Sequence, residues 1–544
     1  MLPACVGPVA LRRFRKDEDG TLIVFALVLF LLMVMIGGIA VDVMRYEQKR
    51  TALQNTLDRA TLAAASLDQK LDAETVARDY VTKAGMADQL EDVSVVAELN
   101  GKMVRATGRV DTNPFFMHLI GINEFDATAA SAAEQRITNV EIVLVLDVSG
   151  SMSGAKIASL RDSASEFVDS VLSADPERRI SIAVVPYNAQ VNLGSVLRAE
   201  YNATDLHGVA NANCLELPSS VFGAPGLSTA TALPMSAIAD VSNSTNRTNG
   251  YVAWSNTSYS TMVSTAPFCR TETRNIVRLP SSDIATLQSQ INALQAGGNT
   301  SITLGMKWGL ALLDPSARPM FSGLIDDGRI SSEFAGRPFD YSDNEAMKVV
   351  VLMTDGEHVS HNRINDGYKT GASPIWRSAG DGNYSIRFTT GRPASAGTNQ
   401  YWVPHRNEWR ATPWNSGAGV TQQQWQQVWA AQRLTWVAWQ LYARALGTTD
   451  SSRNTAYTNA MAQLSSTYAS VADMNSSLQA SCAQAKDNGV VVYGIAFEAP
   501  ENGQHQISQC ASSEEYYFDA ANPAEMQSAF RAIASSISQL RLTQ

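Results

Sequence analysis

Residues 22–41 form an unbroken apolar run of 20. As a helix rising 1.5 Å per residue, such a run spans about 30 Å, the thickness of a bilayer core. A cleavable signal peptide has a shorter apolar core of roughly 7–15 residues, so the run reads as a retained single-pass anchor. Downstream, Val43, Tyr46, Leu53, Leu57 and Leu62 fall on one face of a helical stalk reaching from Asp42 to about Leu67. Two strand-like runs, 93–99 and 103–110, flank Asn100-Gly101, a hairpin signal. Residues 114–120 predict a short helix, and the Ala-rich stretch 127–133 is either a third strand or a linker.

From Asn139 the pattern changes to aliphatic runs alternating with helical periodicity. Residues 142–146, 180–185, 349–353 and 490–497 read as strands buried on both faces, with a short fifth at 516–518. Between them, Ile157, Leu160, Ala164, Phe167 and Val171 repeat at helical spacing. Segments 283–296, 302–313 and 476–488 also predict helices, the last stopping at Gly489. A final helix starts at Asn522-Pro523, with Met526, Phe530, Ile533, Ile537 and Leu540 as its apolar stripe. This alternation predicts an α/β fold: a doubly wound, mostly parallel sheet, Rossmann-like, with ligands at the carboxyl ends of its strands.

Two stretches break the rhythm and read as large insertions, at about 188–279 and 357–469. The first is rich in Ser, Thr, Asn and Gly; the second holds eight of the ten tryptophans. Trp425, Trp429, Trp436 and Trp439 share a helical face there, with Thr421 and Gln424 fitting a capping box. The expected role of these rings is the core of an inserted subdomain; an aromatic recognition surface is the alternative. The chain thus divides into a tail (1–21), a membrane helix (22–41), a stalk with a small α+β region (42–138), and the α/β domain (139–544).

At 544 residues and 45% hydrophobic, the chain has material for more than one core. Its net charge of -10 leaves no basic stripe for nucleic acid. Basic residues flank the anchor on both sides (Arg12, Arg13, Arg15, Lys16; Arg45, Lys49, Arg50, Arg59), so charge does not set the orientation. Cys5 precedes the anchor and four cysteines follow it. Proximity favours Cys214–Cys269 and Cys482–Cys510, which implies an oxidising compartment for the C-terminal part. His358 and His361 have the spacing of a metal pair but sit in a polar loop, where surface histidines are the expectation.

The candidate chemistry lies at the strand ends. Asp147-Val148-Ser149-Gly150-Ser151 follows the first buried strand, Thr354-Asp355-Gly356 follows another, and Gly297-Gly298-Asn299-Thr300 opens a helix. Two carboxylates and three hydroxyls suit a hard divalent cation: Mg²⁺ first, with Mn²⁺ or Ca²⁺ as alternatives. The set resembles the metal-ion-dependent adhesion site of the von Willebrand factor A (VWA) family. That resemblance implies Ser149 and Ser151 as direct ligands, Asp147 as a partly water-mediated one, and Thr300 and Asp355 as exchanging ones. An Asp or Glu of a protein partner would complete the shell. No phosphate-binding glycine loop is present, and no histidine adjoins Ser149 or Ser151 in sequence to activate them.

A second resemblance rests on Asp19-Gly20, Gly37-Gly38, Val41-Asp42 and residues 53–60. These are similar to the N-terminus of TadG-like Flp pilus-assembly proteins, and residues 518–542 to the end of that family. Related pseudopilins carry a glutamate five residues after the cleaved glycine; after Gly20 that position is Phe25, so a fixed anchor is expected. The resemblance implies a non-enzymatic component of the tight-adherence (Flp) pilus system, single-pass in the bacterial inner membrane. Its N-terminus would be cytoplasmic and its C-terminal domain periplasmic. A surface adhesin contacting host or matrix is the alternative, and a metal-dependent hydrolase is a third reading.

Overall fold

The computed structural model describes residues 19–66, 69, 71–98, 101–136, 139–239 and 267–538. Cys5, the basic residues 12–16, Asn100 and the end of the final stripe at Leu540 lie outside them. The chain forms two compact units, Met1–Ile137 and Thr138–Gln544.

In the first unit a single helix, α1 (Asp19–Ala65), carries the apolar run into the stalk without a break. Residues 22–36 of this helix are exposed, whereas Leu53, Leu57, Ala60 and Ala64 are fully buried. The buried stripe differs from the expected one: Val43 and Leu62 point to solvent, and alanines take the inner positions. Small side chains let the helix lie close on a sheet. Helix α2 (Ala73–Lys83) follows, its first turn capped by Asp72, which accepts the Thr75 N–H at 2.8 Å. Strands β1 (Leu90–Glu98), β2 (Gly101–Thr112) and β3 (Phe125–Arg136) form an antiparallel sheet in the order β1-β2-β3. Glu98 faces Gly101 in register, so Gly101, expected in the turn, opens β2 instead. The alanine-rich stretch is strand β3. A 3₁₀ turn, Met117–Ile120, interrupts the passage from β2 to β3.

The second unit is built on a six-stranded sheet. Its strands are β4 (Asn139–Asp147), β5 (Ile180–Tyr187), β6 (Arg278–Ser281), β7 (Ala346–Thr354), β8 (Val491–Phe497) and β9 (Tyr517–Ala520). The spatial order is β9-β8-β7-β4-β5-β6; β6 runs antiparallel at the edge and the rest are parallel. Edge strand β6 was not anticipated: four half-buried residues containing a proline give no strand signal. Helices α3 (Ala155–Ser173), α4 (Ile284–Asn292) and α8 (Pro523–Ser538) pack together, with Phe167 and Phe530 edge to face at 6.0 Å. Helices α5 (Ile302–Leu313), α6 (Val471–Asp487) and α7 (Glu501–Cys510) contribute to another core with β4, β5, β7 and β8. The Cys482–Cys510 disulfide ties α6 to α7, with the Cα atoms 5.1 Å apart.

Helix α5 is buried on every side. Two glycines let it touch the sheet: a Cβ at Gly305 would lie 2.5 Å from the Tyr187 ring, and one at Gly309 would lie 2.7 Å from Val145.

The two insertions share one hydrophobic core. Cys214, Ala237, Ile238 and Cys269 of the first pack with Ile375, Trp402, Trp429 and Leu441 of the second. The Cys214–Cys269 disulfide lies in that core. The second insertion contains a five-stranded antiparallel sheet, ordered 408–410, 401–403, 384–387, 372–378, 420–424. Trp425, Trp429 and Trp436 are buried and Trp439 is partly buried. Their rings belong to the insertion core. They do not share one helix, however. The helix from Trp425 ends at Ala431, Gln432 is extended, and a new α-π-α segment begins at Leu434. The capping pair is Gln424 and Gln427, the Gln424 N–H donating to Gln427 Oε1 at 2.8 Å, because the helix starts at Trp425, three residues later than a Thr421 cap requires.

Candidate metal centre

The parallel register sets the site. Asp147 ends β4 beside Tyr187 of β5, and Leu146 faces Met353 of β7. Asp147 and the Thr354-Asp355 turn therefore leave the sheet side by side at its carboxyl edge. Backbone hydrogen bonds lock the third loop on top: Gly150 N–H donates to Gly298 O at 2.8 Å, and Gly297 N–H donates to Val148 O at 2.8 Å.

Within this frame Asp147 is fully buried. Its Oδ1 accepts the Ser149 N–H at 2.8 Å; its Oδ2 accepts the Thr354 hydroxyl at 2.7 Å and the Tyr187 hydroxyl at 3.4 Å. Ser149 Oγ and Ser151 Oγ are 2.9 Å apart, and Ser151 donates to Asp355 Oδ1 at 2.7 Å. Thr300 enters from the α5 loop. A Cβ on Gly356 would meet Thr300 Oγ1 at 3.4 Å and Ser151 Oγ at 3.8 Å, so the turn glycine leaves room for both hydroxyls. The structure thus links Ser149, Ser151 and Asp355 side chain to side chain, ties Asp147 to the Ser149 backbone, and sets the Thr300 hydroxyl beside Gly356.

The electrostatics favour a cation. Burial first, and the negative Asp355 second, together push the Asp147 carboxyl up to about 6. Two buried carboxylates beside three hydroxyls form an all-oxygen donor set that fits a hard divalent ion. Among the described residues, no three His, Cys, Asp or Glu side chains group as a metal cluster; the candidate centre relies on hydroxyls for the remainder of its donors.

Sequence reasoning missed Lys156, Glu498 and Tyr187, and gave Thr354 no role of its own. Lys156, in the first turn of α3, sits 3.1 Å from Asp355 Oδ2 and 3.3 Å from Glu498. Tyr187 and Thr354 brace Asp147 from neighbouring strands. The position of Lys156 just after the serine loop could have drawn attention; Glu498 comes in only through the strand order. The histidine pair is corrected. His358 and His361 are both buried. Nε2 of His358 accepts the Thr303 N–H at 3.0 Å, and its Nδ1 donates to Asn475 at 2.7 Å. His361 stacks on Phe268 with centroids 5.2 Å apart and packs against Gln190. Their side chains serve different neighbours and hold no shared ligand position.

Residues 20–67 match a family model described as putative Flp pilus-assembly TadE/G-like. No curated protein matches the chain. Among solved structures, the vWF domain of the type V pili tip protein Mfa5 from Porphyromonas gingivalis is similar at 14% identity, covering 75% of this chain and 98% of that one, with a TM-score of 0.31. The pilus adhesin SpaC from Lactobacillus rhamnosus GG, in its open conformation, is 11% identical over 82% of this chain, with a TM-score of 0.30. The match spans only 34% of the SpaC chain. A von Willebrand factor type A protein from Catenulispora acidiphila is 11% identical, covering 82% of this chain and 50% of that one, with a TM-score of 0.26. These likenesses carry no functional conclusion. The chain thus carries, at residues 20–67, a segment that matches the TadE/G-like Flp pilus-assembly model, and beyond it an α/β domain built on a mostly parallel six-stranded sheet.

Proposed function

We propose that this protein is a non-enzymatic component of the Flp pilus assembly system that binds a protein partner through a divalent cation. The observation that carries the reading is the hydrogen-bonded chain Ser149–Ser151–Asp355 beside the buried Asp147. It gathers oxygen donors from separate loops at the carboxyl edge of the sheet, where open α/β sheets bind ligands. Asp147, Ser149, Ser151, Thr300 and Asp355 would hold the ion, Mg²⁺ by preference. A bound cation supplies a Lewis-acidic centre that an Asp or Glu of the partner can ligate. Residues 22–41 would anchor the chain in the inner membrane, with the tail in the cytoplasm and the VWA domain in the periplasm. The two disulfides support an oxidising compartment for that domain. Hydrolysis finds no support in the hydroxyl contacts: Ser149 and Ser151 bond to each other and to Asp355, while His358 is engaged by Thr303 and Asn475.

Deletion of the protein is expected to abolish piliation, and the wild-type chain to restore it. The Asp147→Ala chain, present at the same level, is expected not to. Normal piliation in the deletion strain would refute the pilus role, and full rescue by Asp147→Ala would refute the role of the site.

A further inference from the structure

The first unit carries a second apolar surface besides the α1 run. Between β2 and β3 the chain makes its 3₁₀ turn, and four large apolar side chains around it are open to solvent. Phe115 is 63% exposed, Phe116 37%, Leu119 69% and Ile120 46%. Isolated exposed apolar residues are ordinary, but a cluster of four on one short loop is a contact surface.

The position of the loop identifies its occupant. Asp42, the first residue after the apolar run, accepts the backbone N–H groups of Phe115, Phe116 and Met117 at 2.8, 2.7 and 2.9 Å. The Phe116 ring covers Gly38, where a Cβ would come within 2.4 Å of it. Gly38 lies four residues inside Asp42, about 6 Å along the helix. The loop is therefore pinned at the end of the membrane-spanning stretch and reaches back beside its last turn. That depth matches the interfacial layer of a bilayer, whose two layers together add about 10–15 Å to the hydrocarbon core. Arg45 stacks over the Phe115 ring at 4.1 Å, which places a cation at headgroup level beside the aromatic ring.

We propose that the loop around Met117–Ile120 inserts Phe115, Leu119 and Ile120 into the interfacial layer of the bilayer that α1 crosses, giving the first unit a second membrane contact. Asp42 acts as the pin: it caps the loop and removes an otherwise exposed carboxylate from the membrane edge. With two points of contact, tilting of the first unit relative to the bilayer surface is opposed. The proposal rests on the reading of residues 22–41 as a membrane span.

The test uses the full chain in lipid nanodiscs, with Cys5→Ser and a nitroxide attached in turn at Leu119→Cys, Phe30→Cys and Val96→Cys. Val96 is 55% exposed and faces Met103, nine residues back along β2 from Thr112, about 30 Å away. Collisions with oxygen report lipid, and collisions with a water-soluble nickel chelate report solvent. The expected result is an oxygen-to-nickel ratio at Leu119 several-fold above that at Val96 and below that at Phe30. If Phe30 reports lipid while Leu119 matches Val96, the loop proposal is overturned and the span stands. Low accessibility of Leu119 to both probes would mean that protein covers the loop, and would also overturn it. If Phe30 itself reports water, the span reading has failed.

Discussion

Asp147 is held from three directions, by its own loop and by two neighbouring strands, and this explains why a carboxylate can sit fully buried there. The motif residues were legible because each serine or aspartate lies in a short local pattern directly after an aliphatic run. Lys156 and Glu498 were not, because the pairing of Lys156 with Asp355 and with Glu498 depends on strand order. The buried histidines give a pH prediction. Burial lowers both His358 and His361 to about 4, against about 6.5 when unfolded. Between these values the unfolded chain binds more protons, so stability rises with pH in this window. It is complete above about pH 6.5 and falls as pH drops towards 4. Asp147 acts in the opposite sense, so the informative quantity is a difference. Chemical denaturation is expected to show a larger stability loss in the wild type than in His358→Gln/His361→Gln between about pH 7 and about pH 5. Equal losses would show that the histidines are not buried neutral.

Among the elements, helix α5 was read from the sequence with its observed ends, because an apolar segment of this length between turn signals has few alternatives. Its glycines carry information that periodicity does not. Gly305 sits against Tyr187, which braces Asp147, so Gly305→Ala forces either helix or ring to move. Overpacking of this kind costs about 1–3 kcal/mol, despite alanine's better helix propensity. Urea unfolding should show it; an unchanged or raised midpoint would mean that the contact is loose. The tryptophan-rich segment was misjudged for a related reason. Four aromatics at helical spacing mimic one amphipathic face, yet the chain extends at Gln432, where neither glycine nor proline marks a break. Packing against the inserted sheet, which has strands of only 3–7 residues, overrides the local pattern.

For the whole molecule, composition revealed both insertions but not their union. The two insertions are also joined by long-range partners such as the buried pair Glu216 and Lys369, with Arg363 Nη1 3.4 Å from Glu216. Burial raises the Glu216 carboxyl, opposed by Lys369. Removing Lys369 leaves the buried Glu216 with only the longer Arg363 contact, so Lys369→Met is expected to cost up to about 3 kcal/mol, the low end for a broken buried pair. The double change Glu216→Leu/Lys369→Met should recover most of that loss; additive losses would contradict the pairing. The alternation of strands and helices made the parent sheet legible, since buried parallel strands are written as continuous aliphatic runs. All of these parts position the edge where Asp147 and Asp355 meet. The most direct measurement is the melting temperature of the full chain in detergent, with millimolar Mg²⁺ or with chelator, beside Asp147→Ala/Asp355→Ala. An ion that binds only the folded state stabilises it by about 2.7 kcal/mol at a hundredfold excess over Kd. The predicted result is a rise with Mg²⁺ in the wild type that is absent in the double variant; no rise with Mg²⁺, Mn²⁺ or Ca²⁺, or an equal rise in both proteins, would contradict a cation site at these residues.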